Sequence, residues 1–112
     1  MGLRLKKGCT FTDRYGHTWN EYYAVIDEVF IQKKDEICDF QIRVFADREA
    51  RQTGAQPLET FPVSMSNQEY RLWAAPDRLE EYRNSFDMAY QFALNQKDSH
   101  RNPVWRDWES DE

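Results

Sequence analysis

The sequence predicts an α+β fold: a small antiparallel β-sheet of about four strands around a long central hairpin, one C-terminal helix packed on a face, and an extended C-terminal arm. Three observations carry this expectation. Residues 22–47 form two apolar runs joined by the charged segment Lys33-Lys34-Asp35-Glu36, residues 77–94 repeat apolar side chains at helical spacing, and residues 98–112 turn acidic while keeping two tryptophans. A chain of 112 residues is one domain by size, long enough to bury roughly two-thirds of its unfolded surface in a single core. We therefore expect an α+β domain over residues 1–97 and an acidic, Trp-containing arm over residues 98–112.

The first strand is expected over residues 3–12, where Leu3, Leu5, Cys9 and Phe11 share one parity and Arg4, Lys6, Thr10 and Thr12 the other. Asp13-Arg14-Tyr15-Gly16 then reads as a turn, because an Asp side chain can bond its own backbone two residues on and Gly supplies a positive φ. The next run is apolar on both parities: Tyr22, Ala24, Ile26 and Phe30 fall on one, Tyr23, Val25, Val29 and Ile31 on the other. This is the pattern of a central strand, or of one whose second face is covered by a helix or a neighbouring subunit. In the run after it, Cys38, Phe40, Ile42, Val44 and Ala46 alternate with mostly polar neighbours, so residues 37–47 should pair antiparallel with it across the turn at 33–36 and complete a meander.

Residues 48–56 are polar and read as a loop. Phe61, Val63 and Met65 then alternate with Thr60, Pro62 and Ser64, and a proline on the outward parity places this strand at a sheet edge. Residues 66–75 read two ways, as a short helix because Ser66 and Glu69 match a capping box, or as an irregular segment because residues 69–73 also alternate. After Pro76, Asp77 as N-cap and Glu80 three residues on predict a helix through Leu94, carrying Leu79, Tyr82, Phe86, Ala89, Tyr90 and Ala93 on one stripe. That stripe should cover the extra apolar parity of the central strand. Residues 98–103 read as a polar linker.

Composition excludes several classes of function. With 15 basic against 20 acidic residues the formal charge is −5, which opposes wholesale binding to a phosphate backbone, so no nucleic-acid partner is expected. No run approaches the ~18 apolar residues of a membrane span, and residues 1–8 have charges without a following apolar stretch, so neither a membrane partner nor an export signal is expected. Cys9 and Cys38 sit on apolar parity and lack metal-ligand spacing. They are expected to be free, buried thiols in a reducing cytoplasm.

The chemistry-bearing residues form no recognisable constellation. His17 and His100 are far apart and outside any metal-ligand spacing. Cys9 with His17 lacks the exposed, electropositive setting that activates a thiol. Asp27 and Glu28 interrupt an apolar strand, yet a pair of working carboxylates needs a cleft between them, and an ion pair with Arg43 or another strand residue explains them equally well. Phosphate-binding and nucleophile-elbow motifs are absent. We expect no catalytic residues, no metal site and no cofactor.

The segment Val44-Phe45-Ala46-Asp47-Arg48-Glu49-Ala50-Arg51, followed by Gly54-Ala55-Gln56-Pro57-Leu58, a further strand and a helix bearing Met88-Ala89-Tyr90, resembles small structural proteins encoded among the virion and tail genes of tailed bacteriophages. In that group the preceding hairpin begins near a Tyr-Ala-x-Ile segment, here Tyr23-Ala24-Val25-Ile26. The resemblance spans roughly residues 16–94 and leaves the C-terminal arm and Leu72-Trp73 outside it. It implies a virion component of the tail, baseplate or connector, present in the host cytoplasm during assembly and then in the particle, whose partners are other virion proteins and copies of itself. The alternative is a small soluble phage or bacterial binding module that masks a host or regulatory protein. In either case the candidate partner-contact residues are Trp105 and Trp108 on the arm, Phe61 and Val63 on the edge strand, and Leu72 and Trp73. The two arm indoles either fold back on the core or dock on another chain, and we expect them to anchor a neighbouring subunit.

Overall fold

A computed structural model of the chain describes residues 2–95 and 105–111. Its architecture is α+β, with one five-stranded antiparallel sheet, a separate two-stranded ribbon and several short helices. The sheet strands are β1 (Leu3–Leu5), β4 (Tyr23–Gln32), β5 (Ile37–Phe45), β6 (Glu59–Ser64) and β7 (Trp108–Ser110), in the spatial order β6-β5-β4-β1-β7. The ribbon consists of β2 (Phe11–Thr12) and β3 (Thr18–Trp19).

The long central hairpin forms as its charge and apolar pattern require. β4 and β5 join across residues 33–36, where the Glu36 N–H donates to the Lys33 carbonyl and Glu36 itself takes a positive φ of 54°. That left-handed residue is held from outside the turn, because the Arg71 guanidinium donates to both Glu36 carboxylate oxygens at 2.7 and 2.9 Å. β6 lies at the sheet edge, and its Met65 N–H donates to the Cys38 carbonyl. Odd residues of β6 therefore direct their backbone groups at β5, and Pro62, an even residue, places its donorless nitrogen on the outer side.

Both faces of β4 are apolar for a reason other than uniform cover. Its register against β5 shifts between Ile26 and Val29, so Asp27 and Glu28 form a bulge. One extra residue reverses parity. Ala24 and Ile26 before the bulge and Val29 and Ile31 after it all reach the main core, while Phe30 is left 58% exposed on the outer face. The expected grouping of Phe30 with Ala24 and Ile26 is thus overturned. On the outer face only Tyr23, Val25 and Phe45 are buried, with Ala50 of a short helix α1 (Arg48–Gln52) packed on them. α1 stands where a loop was expected; the Asp47 carboxylate caps it by accepting from the Ala50 N–H at 2.7 Å.

The first strand is broken as well. A tight turn at residues 6–8, closed by the Cys9 N–H on the Lys6 carbonyl, requires the positive φ of 85° that Gly8 adopts. β1 therefore pairs with β4 at Leu3–Ala24, and β2 leaves the sheet to pair with β3. The meander gives way to a sheet plus a ribbon.

The helical half is segmented. The Ser66–Glu69 capping box forms reciprocally and starts α2 (Asn67–Glu69), which continues as a π-helical turn over Tyr70–Ala74. α3 (Pro76–Leu79) and α4 (Ser85–Asn95) replace the single helix expected over residues 77–94. Asp77 is not the N-cap, since Pro76 already occupies the first turn, and a second start lies at Asn84, whose side chain accepts from the Asp87 N–H at 2.8 Å. A strong local cap inside a marginal helix divides it. α4 packs on the main core face, through Met88, Ala89, Phe92 and Ala93, rather than on the second parity of β4. Tyr90 reaches further and its hydroxyl accepts from the Ile26 N–H at 2.8 Å, just before the bulge.

β7 corrects the expectation of an extended arm. It pairs antiparallel with β1 along Leu3–Ser110, Arg4–Glu109 and Leu5–Trp108. The expected linker at 98–103 lies outside the described residues.

Candidate interaction surface

Four of the six residues expected to contact a partner converge on one place. Phe61 and Val63 of β6, Trp108 of β7 and Trp105 just before it line a slot of about 320 Å³ together with Phe11 and Asp107. β6 and β7 are opposite edges of the sheet, yet the Phe61 and Trp105 rings lie 5.6 Å apart, so the sheet curls until its two edges face each other across the aromatic cluster. The rings meet edge to face: Phe11 with Trp108 at 5.7 Å, Phe11 with Phe61 at 6.4 Å, and Trp105 with Trp108 at 5.2 Å. Trp105 and Trp108 are only 6% and 5% exposed. The expectation that these indoles anchor a neighbouring subunit is corrected on this point, because the chain's own core takes up nearly their whole surface.

Leu72 and Trp73 are not part of this slot. Leu72 is 55% exposed, whereas the Trp73 ring stacks on Tyr82 at 6.1 Å and meets Phe92 edge-on at 5.5 Å. Consecutive residues on a helical turn point roughly 100° apart, so neighbours 72 and 73 face solvent and core respectively.

The residues that sequence reasoning missed lie on the β2–β3 ribbon, Tyr15 in its turn and Trp19 on β3. Tyr15 is 69% exposed and Trp19 41%, with the His17 ring 5.9 Å from that of Trp19. Beneath them Asp13 is buried and organises the turn. Its Oδ1 accepts from the Tyr15 N–H at 2.9 Å and the His17 N–H at 3.0 Å, and its Oδ2 lies 2.8 Å from the Tyr22 hydroxyl, which donates to it. Burial pushes the Asp13 carboxyl up, but the His17, Tyr22 and Tyr15 hydrogen bonds outweigh it and hold the group below the usual carboxylate range. The partner effect on Tyr22, from burial first and then the Asp13 charge, raises its hydroxyl to about 12. The signal was legible in part: an Asp two residues before Tyr15 reads as an Asx turn.

A second cleft of about 470 Å³ opens on the other side of β1, where Arg4, Tyr23, Arg48 and Asp111 meet. Asp111 locks the last strand: one carboxylate oxygen accepts from the Gly2 N–H at 2.9 Å and the other from the Tyr23 hydroxyl at 2.7 Å. Residue 2 must be glycine here, since any Cβ would collide with the Tyr23 ring. Burial raises the Asp111 carboxyl, while the Tyr23 and Gly2 hydrogen bonds and nearby positive charge bring it below its ordinary value.

The remaining candidate chemistry is structural in its contacts. Asp27 in the bulge accepts from Arg51 at 2.9 Å and from Arg43 at 3.3 Å, so the carboxylate fixes α1 and β5 to the outer face. Cys38 is fully buried, and burial followed by the Asp39 charge pushes its thiol up to about 11; Cys9 is half-buried, and both are free thiols. Among the described residues no group of three or more His, Cys, Asp and Glu side chains could hold a metal ion, and no helix is long and apolar enough to cross a membrane.

No protein-family model, no curated protein and no solved structure matches this chain.

Proposed function

We propose that the chain is a non-catalytic structural protein of a tailed-bacteriophage virion, at the tail, baseplate or connector, acting through contacts between subunits. The observation that supports a contact-forming role is the rigid presentation of Tyr15 and Trp19. Tyr15 stands exposed on a turn whose backbone is held by a buried carboxylate, and Trp19 on the strand that leaves that turn, both outside the five-stranded sheet. Tyrosine and tryptophan on a preorganised ribbon lose little conformational entropy on binding and are the residue types most often found as hot spots. The virion itself enters through the resemblance at residues 44–58. The polar groups with partners (Asp13, Asp27, Glu36, Asp111) are taken up by turns, strands and caps, which fits a protein whose surface rather than a cleft does the work.

The test is sedimentation of lysates from cells producing the particle, followed by mass spectrometry of the heavy fraction. The chain should be found in purified particles, in fixed ratio to their other proteins. A chain confined to the light fraction, bound to a single host protein, overturns the virion reading in favour of a masking module.

A further inference from the structure

We propose that two copies of this chain pair reciprocally, the Arg14–Tyr15 turn of one copy entering the aromatic slot of the other beside Asp107. This rests on the reading of the chain as a contact-forming subunit and names its first partner, a second copy.

The slot has the chemistry of a site for a cation carried on an aromatic or aliphatic stem. Phe11, Phe61 and Pro62 supply most of its accessible apolar lining and the nearly buried Trp105 and Trp108 the remainder, and its volume of about 320 Å³ lies at the lower end of the roughly 300–1,000 Å³ of small-ligand pockets. That is room for a side-chain plug, not for a second element. Asp107 flanks it as an exposed carboxylate. Aromatic faces attract cations, and a carboxylate at their margin selects a guanidinium.

The turn carries the complementary group. The Arg14 guanidinium lies over the Tyr15 ring, 5.0 Å from its centroid, and donates to the Tyr15 hydroxyl at 2.8 Å, so the two side chains form one amphipathic plug. Both are exposed, and the Asp13 hydrogen bonds fix the backbone beneath them. A rigid plug loses little freedom on docking.

Placement sets the symmetry. Phe11 of the slot lining lies on β2 and Arg14 in the turn that follows it, three residues on, so plug and slot are close neighbours in the fold. Two adjacent, mutually complementary patches are satisfied together by a two-fold axis, whereas a head-to-tail contact leaves one plug and one slot open at each end.

Sedimentation equilibrium of the full chain at micromolar concentration tests this, with R14E, D107K and the R14E/D107K double variant; both substitutions are at exposed positions, and far-ultraviolet circular dichroism confirms that each variant folds. The unsubstituted chain should be a dimer, each single variant should weaken dimerisation at least tenfold, and the double variant should restore it. Single variants that dimerise like the parent, a double variant as weak as the singles, or a monomeric parent each overturn the pairing. A dimer or higher oligomer indifferent to these variants leaves the subunit reading standing and removes only this contact; a monomer absent from all particles removes both.

Discussion

Trp105 and Trp108 near the C-terminal end and Tyr15 and Trp19 near the N-terminal end are both aromatic pairs made of one turn residue and one residue on a short strand, and their fates are opposite. The first pair is nearly fully buried, the second largely exposed. Trp108 sits on a strand that hydrogen-bonds to β1 and therefore inherits the sheet's core face. The ribbon pairs only with itself, so Phe11 reaches the core while the turn beyond it does not. What decides burial is the set of neighbours that strand pairing supplies, not the residue type or its flanking charge. An acidic tail that reads as a soluble arm is a sheet strand because β1 offers it an edge.

The largest effect that would break this comparison is removal of residues 105–112, which strips β7 from the sheet and opens the core. The truncated chain should lose its cooperative urea transition, and a truncated chain that still unfolds cooperatively would show the C-terminal strand to be dispensable. Substitution of one indole is milder. Trp108→Ala should destabilise by about 3–5 kcal/mol, the range for truncating a large buried aromatic, as measured by chemical denaturation.

Tyr22→Phe tests the buried support of the exposed pair. It removes the hydroxyl donor to Asp13 and leaves part of a buried carboxylate unsatisfied, so a loss of about 1–3 kcal/mol is expected, together with faster amide exchange at Tyr15 and His17. Unchanged exchange at those two amides would mean that Asp13 does not organise the turn.

Acid should act on both regions through Asp13 and Asp111. Each carboxyl has its folded value held below the ordinary 3.8, so each contributes stability that is complete above that value and is lost as pH falls through the lower folded value. Asp111→Asn should therefore make stability below about pH 4 less steeply dependent on pH, with Asp13 and the Arg71-bound Glu36 contributing to the slope that remains. An acid limb identical in parent and variant would place the linked protons elsewhere.

The smallest effects belong to the exposed pair and the thiols. Tyr15→Ala should change monomer stability by no more than about 0.5 kcal/mol, since the ring packs on little of its own chain. In maleimide labelling of the native chain, Cys9 should react first and Cys38 only on unfolding, because its thiol is buried and raised to about 11.

Much of the fold was legible where a few adjacent residues decide the outcome. The Lys33–Glu36 turn, the Asx turn at Asp13, the Ser66–Glu69 capping box and the edge position of the Pro62 strand all follow from side chains acting within about four positions, and the structure contains each of them. The Asp27–Arg43 ion pair was also within reach, because antiparallel pairing of two adjacent strands is nearly local. What periodicity could not reveal is a bulge: one extra residue at 27–28 reverses the side-chain parity of everything after it, and the residues on both sides still read as strand.

Of the candidate contact residues, Phe61, Val63, Trp105 and Trp108 were found as individuals from strand parity and aromatic content. That they line one slot depends on the curl bringing β6 and β7 together, a contact between residues more than 40 positions apart in the chain. The sequence by itself determined the central hairpin, the Asp13 turn and the Ser66 cap, since these are set by backbone geometry and by hydrogen bonds within a few residues. Only the tertiary structure decided which apolar side chains are buried. Burial is a property of the pairing partner, and the pairing of β1 with β7 joins the two ends of the chain across a separation on which local pattern has no influence.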